Sequence, residues 1–259
     1  MELGLAARTV VVTGASKGIG LAIATAFVDE GATVIAGARH SSDGLEALVA
    51  TGRARAVEVD LGADDGPARL IAEAGDRVDV LVNNVGAATP RVDGFLSVTE
   101  EQWQRSFTLN FFAALRATRA VLPGMVERGG GAIVNVSSVN ARLPDPLVID
   151  YSASKAALAN FSKSLSNEVG RHGIRINDVA PGPVRTDLWL GSGGVAQTVG
   201  AANGLAPDDV AAGAVAGTAT GRFTDPREVA DLVLFLASDR AANITGASYT
   251  IDGGLIQTL

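Results

Sequence analysis

The chain has 259 residues, of which 47% are hydrophobic and 19% charged, a balance that is sufficient for a large buried core. Its formal charge of −7 argues against nucleic acid and anionic membrane surfaces as partners. The sequence contains no Cys, which excludes disulfides, thiolate catalysis and cysteine metal sites.

The N-terminal part of the chain reads as a βαβ unit with a glycine-rich turn. Thr9–Thr13 is a β-branched run typical of a strand buried on both faces, and Gly-Ala-Ser-Lys-Gly-Ile-Gly follows it from Gly14 to Gly20. Helical periodicity then covers residues 21–30, and a second strand is predicted at 33–36. Such a turn presents backbone N–H groups to an anion, which favours a dinucleotide site over a plain tight turn. It is not a P-loop, because no Gly-Lys-Ser/Thr occurs.

The end of the second predicted strand indicates which dinucleotide binds. An acidic residue there would accept hydrogen bonds from the ribose of NAD, whereas an Arg accommodates the 2′-phosphate of NADP. The segment Gly-Ala-Arg-His-Ser-Ser has no acid before Asp43. Arg39 and Lys17 supply two cations on one side, and Ser41 is a further candidate phosphate contact. NADP is therefore favoured over NAD.

Strands and helices alternate along the rest of the chain. Strands are predicted at 54–59, 78–82, 132–136, 174–179 and 248–251, and helices at 45–50, 64–75, 100–128 with a break near Pro123, 151–171 and 226–237. Residues 188–220 have weak periodicity, and so long an irregular segment favours a substrate lid over a linker.

This alternation predicts an α/β fold. We expect residues 1–259 to form a single domain with one Rossmann-like, doubly wound sheet of about seven mostly parallel strands and helices on both faces. Ligands of such sheets bind outside the carboxyl ends of the strands. The glycine-rich turn and the polar motifs described next fall at such ends or at helix starts.

Tyr151 and Lys155 open an Ala-rich helical run and are four residues apart, which would place them on one helical face about 6 Å apart. A cation beside a phenol favours the phenolate, so we expect Lys155 to lower the pKa of Tyr151. A tyrosine with a lowered pKa is a usable general acid or base. The pair is therefore a candidate catalytic centre.

Polar residues occur at two other buried positions of the predicted fold. Asn83 and Asn84 follow the fourth strand, where they are expected to tie neighbouring strands together, and Gly86 would let a cofactor approach closely. Asn110 lies within an apolar stripe of the helix at 100–128. It is either a core asparagine with satisfied hydrogen bonds or part of an active-site relay.

Taken together, these motifs resemble the short-chain dehydrogenase/reductase family, in the expected order and nearly from end to end. The residues that carry the resemblance are Thr13-Gly-Ala-Ser-Lys-Gly-Ile-Gly20, Asp60, Asn83-Asn-Val-Gly86, Asn110, Ser138, Tyr151, Lys155, Pro181-Gly182 and Asp252-Gly-Gly254. Two departures are visible. Val85 stands where the family usually has Ala, and the segment between the second and third strands is short.

The resemblance implies four catalytic residues. Tyr151 would exchange a proton with the substrate oxygen, while Lys155 would lower its pKa and hold the nicotinamide ribose. Ser138 would polarise the carbonyl, and Asn110 would complete a water-linked proton route to Lys155. Ser138 is preferred over Ser137 because the family's serine lies thirteen residues before its tyrosine.

The resemblance also implies where the cofactor binds. The glycine-rich turn would cradle the phosphates, Arg39 would meet the 2′-phosphate, and Asp60 would reach the adenine amino group. The full expected set is Gly14, Ser16, Lys17, Gly18, Ile19, Gly20, Arg39, His40, Asp60, Leu61, Asn84, Val85, Gly86, Tyr151, Lys155, Pro181, Gly182, Val184 and Thr186.

We therefore expect an NADPH-dependent oxidoreductase that reversibly reduces a ketone or 3-oxoacyl group to a secondary alcohol. The alternative within enzymes is an NAD-dependent alcohol or sugar dehydrogenase. The alternative of another class is a nucleotide-sensing regulatory protein on the same fold. Such proteins often lose the Tyr or the Lys, whereas both are present here.

Expected partners are a small-molecule substrate and further copies of the chain, with no nucleic acid and no membrane. Members of the family commonly form tetramers through the two long helices and the C-terminal strand, so a homotetramer or homodimer is expected. The relevant helix faces lie at 104–121 and 156–165, and the alternative is that they simply pack on the sheet.

Neither a metal site nor export is predicted. His40 and His172 are far apart in sequence and lack ligand-like spacing. The N-terminus has no signal-peptide pattern, and no apolar run approaches the ~20 residues of a membrane span. We expect a cytoplasmic protein.

Overall fold

Seven parallel strands form one sheet in the computed structural model, which describes residues 2–258. The sheet order is β3-β2-β1-β4-β5-β6-β7, and every neighbouring pair is parallel. The expected doubly wound α/β fold is thereby confirmed. The order reverses between β1 and β4, and this reversal opens a crevice at the carboxyl ends of those strands. The strands are β1 (Thr9–Thr13), β2 (Thr33–Ala38), β3 (Ala54–Glu58), β4 (Val80–Asn83), β5 (Gly131–Val136), β6 (Ile174–Pro181) and β7 (Ser248–Ile251).

Helices cover both faces of this sheet. They are α1 (Gly18–Asp29), α2 (Asp43–Val49), α3 (Gly66–Ala72), α4 (Glu100–Phe107), α5 (Ala113–Arg128), α6 (Ile149–Val169), α7 (Asp187–Leu190), α8 (Val195–Asn203), α9 (Pro207–Ala216) and α10 (Pro226–Ala237). Among the described residues, no helix is both long and apolar enough to cross a membrane.

The core lies in two layers, one on each side of the sheet. Val10 and Val12 of β1 pack in the layer with α1, α2 and α10, whereas Val11 packs in the layer with α3 and α5. All three side chains are fully buried. Successive side chains of a strand point to opposite faces, so an unbroken apolar run is what a central parallel strand requires.

The predicted break at Pro123 is wrong, because α5 runs through this residue. Pro123 is exposed, so the carbonyl that it leaves without a helical donor can be hydrated, while Val121 and Met125 anchor the buried side of the helix. The interruption lies earlier, in a π-helical turn at Thr108–Phe112 that separates α4 from α5. Turns of this kind often occur at functional sites.

The segment predicted as irregular, 188–220, is largely helical and contains most of α7, all of α8 and all of α9. The sequence signal was weak because Ala and Gly give little apolar contrast along a helix. Local signals were nevertheless present at α9, which begins with Pro207 and carries Asp208 and Asp209 in its first turn.

Candidate active site

The glycine-rich turn joins β1 to α1 and is tightly folded. Gly14 has a φ of +69°, and a Cβ on Gly20 would collide with the Gly14 carbonyl oxygen. The Asn84 amide donates hydrogen bonds to the carbonyl oxygens of Thr13 (3.0 Å) and Gly14 (3.1 Å). The Asn84 side chain therefore supports the backbone of the turn. At Gly14 and Gly20 no side chain larger than hydrogen fits.

Helix α1 begins at Gly18, so Gly18, Ile19 and Gly20 form its first turn. Lys17 occupies the N-cap position, and its side chain makes no capping hydrogen bond within the described residues. The first-turn N–H groups are therefore available to an anion, and the helix dipole favours negative charge at this end. This arrangement suits the pyrophosphate of a dinucleotide.

The end of β4 is tied to the glycine-rich turn and to β5. The Thr13 hydroxyl accepts hydrogen bonds from the backbone N–H groups of Asn84 (2.9 Å) and Val85 (3.1 Å). The Asn83 amide donates to Asn135 Oδ1 of β5 at 2.8 Å. The expectation that an asparagine ties neighbouring strands together at this edge is confirmed for Asn83.

Two exposed cations follow neighbouring strands at the carboxyl edge of the sheet, Lys17 after β1 and Arg39 after β2. The Ser42 hydroxyl donates to the Ser16 carbonyl (2.5 Å) and caps α2 by accepting from Leu45 N. The buried Ser41 hydroxyl has no hydrogen-bond partner in the part of the chain that the structure describes. Exposed cations and hydroxyls are groups that can bind a phosphate.

Other predicted cofactor residues lie at the ends of β3 and β6. Asp60 is exposed, and its Oδ1 accepts a hydrogen bond from Gly62 N at 2.9 Å. Leu61 is buried in the core layer with α3. A Cβ on Gly18 would lie 3.2 Å from Thr186 Cγ2, so the segment after β6 closely faces the glycine-rich turn. The positions of the remaining predicted residues follow from their elements: His40 is exposed after β2, Pro181 ends β6, and Gly182 and Val184 follow it.

Lys155 is a buried cation at the end of β5. Its side chain lies on α6, is 3% exposed, and donates from Nζ to the Val136 carbonyl oxygen at 2.8 Å. Nζ lies 5.8 Å from the centroid of the Tyr151 ring, so the two side chains are neighbours on α6. Burial lowers the pKa of Lys155 to about 8, and the charge of Asp178 acts in the opposite direction.

The expected lowering of the Tyr151 pKa is wrong for this structure. Burial of the phenol raises the pKa of Tyr151, and the Ser138 hydroxyl acts only as a smaller, opposing influence. The physical reason is that desolvation disfavours the charged phenolate more than the neighbouring groups favour it. Tyr151 is thereby held in its protonated form at neutral pH.

Ser138 is positioned by a residue that sequence reasoning missed, Asn140. The Ser138 hydroxyl donates to Asn140 Oδ1 (3.0 Å) and accepts from Asn140 N (3.2 Å), capping the short helix Val139–Ala141. Ser138 is only 6% exposed. The pattern Ser-x-Asn at a strand end is a signal for such a local turn.

Asn110 lies in the π-helical turn and holds the segment after β4. Its Oδ1 accepts from Ala87 N (2.9 Å), and its Nδ2 donates to Ala87 O (3.0 Å). A Cβ on Gly86 would lie 2.7 Å from Asn110 Oδ1 and 3.2 Å from Lys155 Nζ. Asn110 is thus hydrogen-bonded within the core, and it also lies close to Lys155 across a glycine.

Two further features next to these residues were not found from the sequence. Asp178 of β6 is 2% exposed, and its Oδ2 accepts hydrogen bonds from the hydroxyls of Ser137 (2.8 Å) and Ser248 (2.5 Å). Arg91 and Asp150 form a buried ion pair beside Tyr151. Asp178 is a carboxylate within the predicted strand of residues 174–179, which was a visible signal, whereas the pairing of Arg91 with Asp150 depends on the fold.

Comparison with known proteins identifies relatives over nearly the whole chain. A family model described as short chain dehydrogenase matches residues 8–192. The 3-oxoacyl-[acyl-carrier-protein] reductase FabG of Vibrio harveyi is 34% identical over 258 residues, which cover 98% of this chain and 99% of that protein. An uncharacterized oxidoreductase of Methylorubrum extorquens is 38% identical over 260 residues, with coverages of 97% and 98%.

A solved structure resembles this one along its full length. It is L-sorbose reductase from Gluconobacter frateurii in complex with NADPH and L-sorbose, with a TM-score of 0.90, 33% identity and 100% coverage of both chains. Family match, sequence relatives and fold agree, and the resemblance inferred from the motifs is confirmed. The chain is an NAD(P)-dependent oxidoreductase and belongs to the short-chain dehydrogenase family.

Proposed function

We propose that the protein is an NADPH-dependent reductase that converts a ketone or 3-oxoacyl group into a secondary alcohol, in a reversible reaction. The observation that carries this proposal is the grouping of Ser138, Tyr151 and Lys155 at the carboxyl end of β5, with Lys155 bonded to the Val136 carbonyl. A proton donor, a cation and a second hydroxyl are the groups that carbonyl reduction requires from a protein.

In the direction of reduction, Tyr151 donates the proton. Burial raises the pKa of Tyr151, so the phenol is protonated at neutral pH and can give its proton to the substrate oxygen. Lys155 then stabilises the phenolate that remains. Ser138 donates a hydrogen bond to the same substrate oxygen after turning away from Asn140 Oδ1. A nicotinamide cofactor, when bound, would supply the hydride.

NADP is the proposed cofactor because of the groups at the end of β2. Arg39 and Lys17 are exposed cations, and the Ser41 hydroxyl has no partner among the described residues. The Gluconobacter frateurii structure, which is a complex with NADPH, adds support. The second candidate, an NAD-dependent alcohol or sugar dehydrogenase, uses the same catalytic groups but needs an acid at this strand end, which the segment before Asp43 lacks.

The substrate class is proposed from the relatives and from the apolar surface near the site. The named relatives act on a 3-oxoacyl carrier protein or on L-sorbose. The side chains of Leu143, Leu147, Leu188 and Leu190 are all more than a third exposed. An exposed apolar surface of this kind favours a 3-oxoacyl or other partly apolar ketone over a fully hydroxylated one.

A substrate panel tests the proposal. Loss of NADPH absorbance is followed with a 3-oxoacyl thioester, an aliphatic ketone and a ketohexose. Tyr151→Phe should reduce turnover by about 10²–10⁴ while NADPH binding persists. Tyr249→Phe removes the hydroxyl of the chain's other tyrosine, on β7, and should leave turnover unchanged. Near-normal turnover by Tyr151→Phe would refute the proposed role of Tyr151. If the wild type binds NADPH but turns over none of the substrates, a regulatory protein is favoured instead.

We also propose that the segment at 188–220 covers the substrate. Trp189 of α7 contacts Phe223 edge to face, with ring centroids 5.8 Å apart, and Thr220 N donates to Gly253 O at 3.0 Å. These contacts anchor both ends of the segment. The chain has two tryptophans, so Trp103→Phe leaves Trp189 as the only indole reporter. A change in its fluorescence on adding substrate to the NADPH complex is expected, and no change would argue against a lid.

The proposed assembly is a homotetramer or homodimer formed through α5 and α6. A cavity of about 770 Å³ lies between these helices, and its lining includes Leu122, Val126, Phe161 and Leu165. Val126 is 36% exposed. Sedimentation should show an oligomer that Val126→Asp dissociates, because a buried unpaired charge would be costly at such an interface. A monomeric wild-type chain would refute this part.

A further inference from the structure

A row of polar side chains crosses four strands at the catalytic edge of the sheet. Asn83, Asn135, Asp178 and Ser248 are successive register partners on β4, β5, β6 and β7. The first three are each at most 2% exposed. Asn135 also donates from Nδ2 to Ser162 Oγ of α6 at 2.7 Å, so the row lies on the face that α6 covers.

Asp178 is the charged member of this row. Its Oδ2 accepts hydrogen bonds from two hydroxyls, those of Ser137 (2.8 Å) and Ser248 (2.5 Å). Its Oδ1 is buried and has no hydrogen-bond partner among residues 2–258. Burying a carboxylate is costly unless a cation or several donors compensate for the lost water. An ionised Asp178 therefore requires a nearby cation in addition to its two hydroxyl donors.

Asp178 binds Ser137, which lies between the contact point of Lys155 and the catalytic Ser138. At the end of β5, the Val136 carbonyl accepts from Lys155 Nζ, the next residue is Ser137, and Ser138 follows. Ser137 N donates to Val179 O of β6 at 2.8 Å, so both the backbone and the side chain of Ser137 are held by β6. A displacement of Asp178 would therefore shift Ser137 and, with it, the backbone that contacts Lys155 and carries Ser138.

We propose that Asp178 is a positioning residue that serves as the buried counter-ion of Lys155 and, through Ser137, fixes the strand end that carries Ser138. The roles of Lys155 and Ser138 in catalysis rest on the proposed function. The electrostatic link between Asp178 and Lys155 does not depend on it.

Among the charged groups that the structure describes around Lys155, Asp178 is the one that can act as its counter-ion. On its own helix, Tyr151 is neutral at pH 7, and Asp150 is paired with Arg91. From the π-helical turn the neighbour is the uncharged Asn110, which lies across Gly86 from Lys155 Nζ. From β6, Asp178 raises the pKa of Lys155 against the effect of burial.

The charge state of Asp178 follows from opposing effects. Burial raises the pKa of Asp178 above its ordinary value, and the Ser248 and Ser137 hydroxyls and the charges of Lys155 and Arg142 offset only part of that rise. Two hydroxyl donors on one oxygen are the arrangement that favours a carboxylate. We therefore assign the ionised form at neutral pH.

Direct titration of Lys155 tests the link without any substrate. The chain has three lysines, Lys17, Lys155 and Lys163, so carbon-13-labelled lysine gives three side-chain NMR signals that Lys17→Arg and Lys163→Arg assign. In the wild type, the midpoint of Lys155 should lie near 8. In Asp178→Asn it should fall by about one pH unit or more, because the neutral amide no longer favours the ammonium.

A matched control separates charge from packing. Ser248→Ala removes one hydrogen bond to Asp178 but retains the carboxylate, so the Lys155 midpoint should stay near that of the wild type. In enzymes that turn over, the alkaline limb of the kcat/KM profile should move with the Lys155 midpoint in Asp178→Asn. A merely structural role would lower kcat/KM at every pH without moving the limb.

Two results would overturn the inference. One is an unchanged Lys155 midpoint in folded Asp178→Asn. The other is a protonated Asp178 carboxyl at pH 7 in the wild type, read from its own carbon-13 shift, and this measurement decides the matter if the variant does not fold. A wild type without carbonyl reductase activity would reject the proposed function but leave the titration results standing.

Discussion

Arg91 and Asp150 form a buried ion pair that fastens the segment after β4 to the first turn of α6, next to Tyr151. Arg91 Nε and Nη2 donate to the two carboxylate oxygens of Asp150 at 3.2 and 2.5 Å, and the two side chains are only 11% and 3% exposed. Arg91 N also donates to Leu147 O at 2.7 Å. This pair connects two segments that are expected to line the substrate side.

Removing one partner should destabilise the protein strongly. Arg91→Ala leaves the Asp150 carboxylate buried and uncompensated, which typically costs about 3–5 kcal/mol of unfolding free energy. Arg91→Lys should recover only part of this, because an ammonium cannot reproduce the two-bond geometry. The measurement is urea denaturation.

The double variant Arg91→Met with Asp150→Leu tests whether the loss of stability comes from the unpaired buried charge. Because both charges are removed together, it should be much more stable than Arg91→Ala alone. As a control, Arg227→Ala breaks exposed ion pairs on α10 and should cost at most about 1 kcal/mol. Equal losses for Arg91→Ala and Arg227→Ala would show that burial does not set the strength of the Arg91–Asp150 pair.

The reductase rate should fall as the pH rises through about 8. Above this value Lys155, whose pKa burial lowers to about 8, loses the proton that stabilises the tyrosinate. Tyr151 remains protonated in this range because burial raises its pKa, so the tyrosine itself is not limiting. Initial rates at saturating NADPH from pH 6 to 10 measure the effect.

Loss of rate above pH 8 should not be accompanied by loss of stability from Lys155. Between about 8 and the ordinary lysine value of 10.5, the unfolded chain binds more protons at this group than the folded chain does. The contribution of Lys155 to the unfolding free energy therefore rises with pH over this window. A wild-type reductase rate that stays constant up to pH 10 would contradict the assignment of Lys155 as the required cation.

Arg39→Ala should weaken NADPH binding selectively. A charge-assisted contact to the 2′-phosphate contributes about 1.5–3 kcal/mol, so the dissociation constant of NADPH should rise by about 10–100-fold, while that of NADH changes little. Titration of both cofactors by calorimetry measures this. Arg171→Ala, at an exposed site before β6, serves as the control and should affect neither cofactor. Tighter binding of NADH than NADPH by the wild type would reject the choice of NADP.

Sequence reasoning was most successful where the chemistry is local. The strand Thr9–Thr13 has the predicted bounds, because a short β-branched run is a local signal for a buried strand. The glycine-rich turn and the Tyr151–Lys155 spacing are also contained within a few residues, and the structure places both at the carboxyl edge of the sheet.

Properties set by distant residues could not be predicted in this way. The pKa of Tyr151 depends on burial by the surrounding fold, and the spacing to Lys155 alone gave the wrong direction. Asp178 meets Ser137 and Ser248 only because β5, β6 and β7 are neighbours in register. Asn110, in the π-helical turn, likewise meets Ala87 only because the fold brings the segment after β4 against this turn.

Gly86→Ala should impair the site without unfolding the protein. The added Cβ would lie 2.7 Å from Asn110 Oδ1 and 3.2 Å from Lys155 Nζ, so one of these groups must shift, and both are buried. Since displacements of about 1 Å at a catalytic group can cost roughly 10²-fold in rate, we expect a loss of this order in kcat.

Gly170→Ala is the matched control for this substitution. Gly170 is exposed, and a Cβ there meets no described atom within 4 Å, so activity should be unchanged and stability equal or slightly higher. Comparing kcat and melting temperature for the two variants separates local crowding from a general effect of replacing glycine. A Gly86→Ala enzyme with normal kcat would mean that Asn110 and Lys155 can move apart freely, which their hydrogen bonds to Ala87 and Val136 argue against.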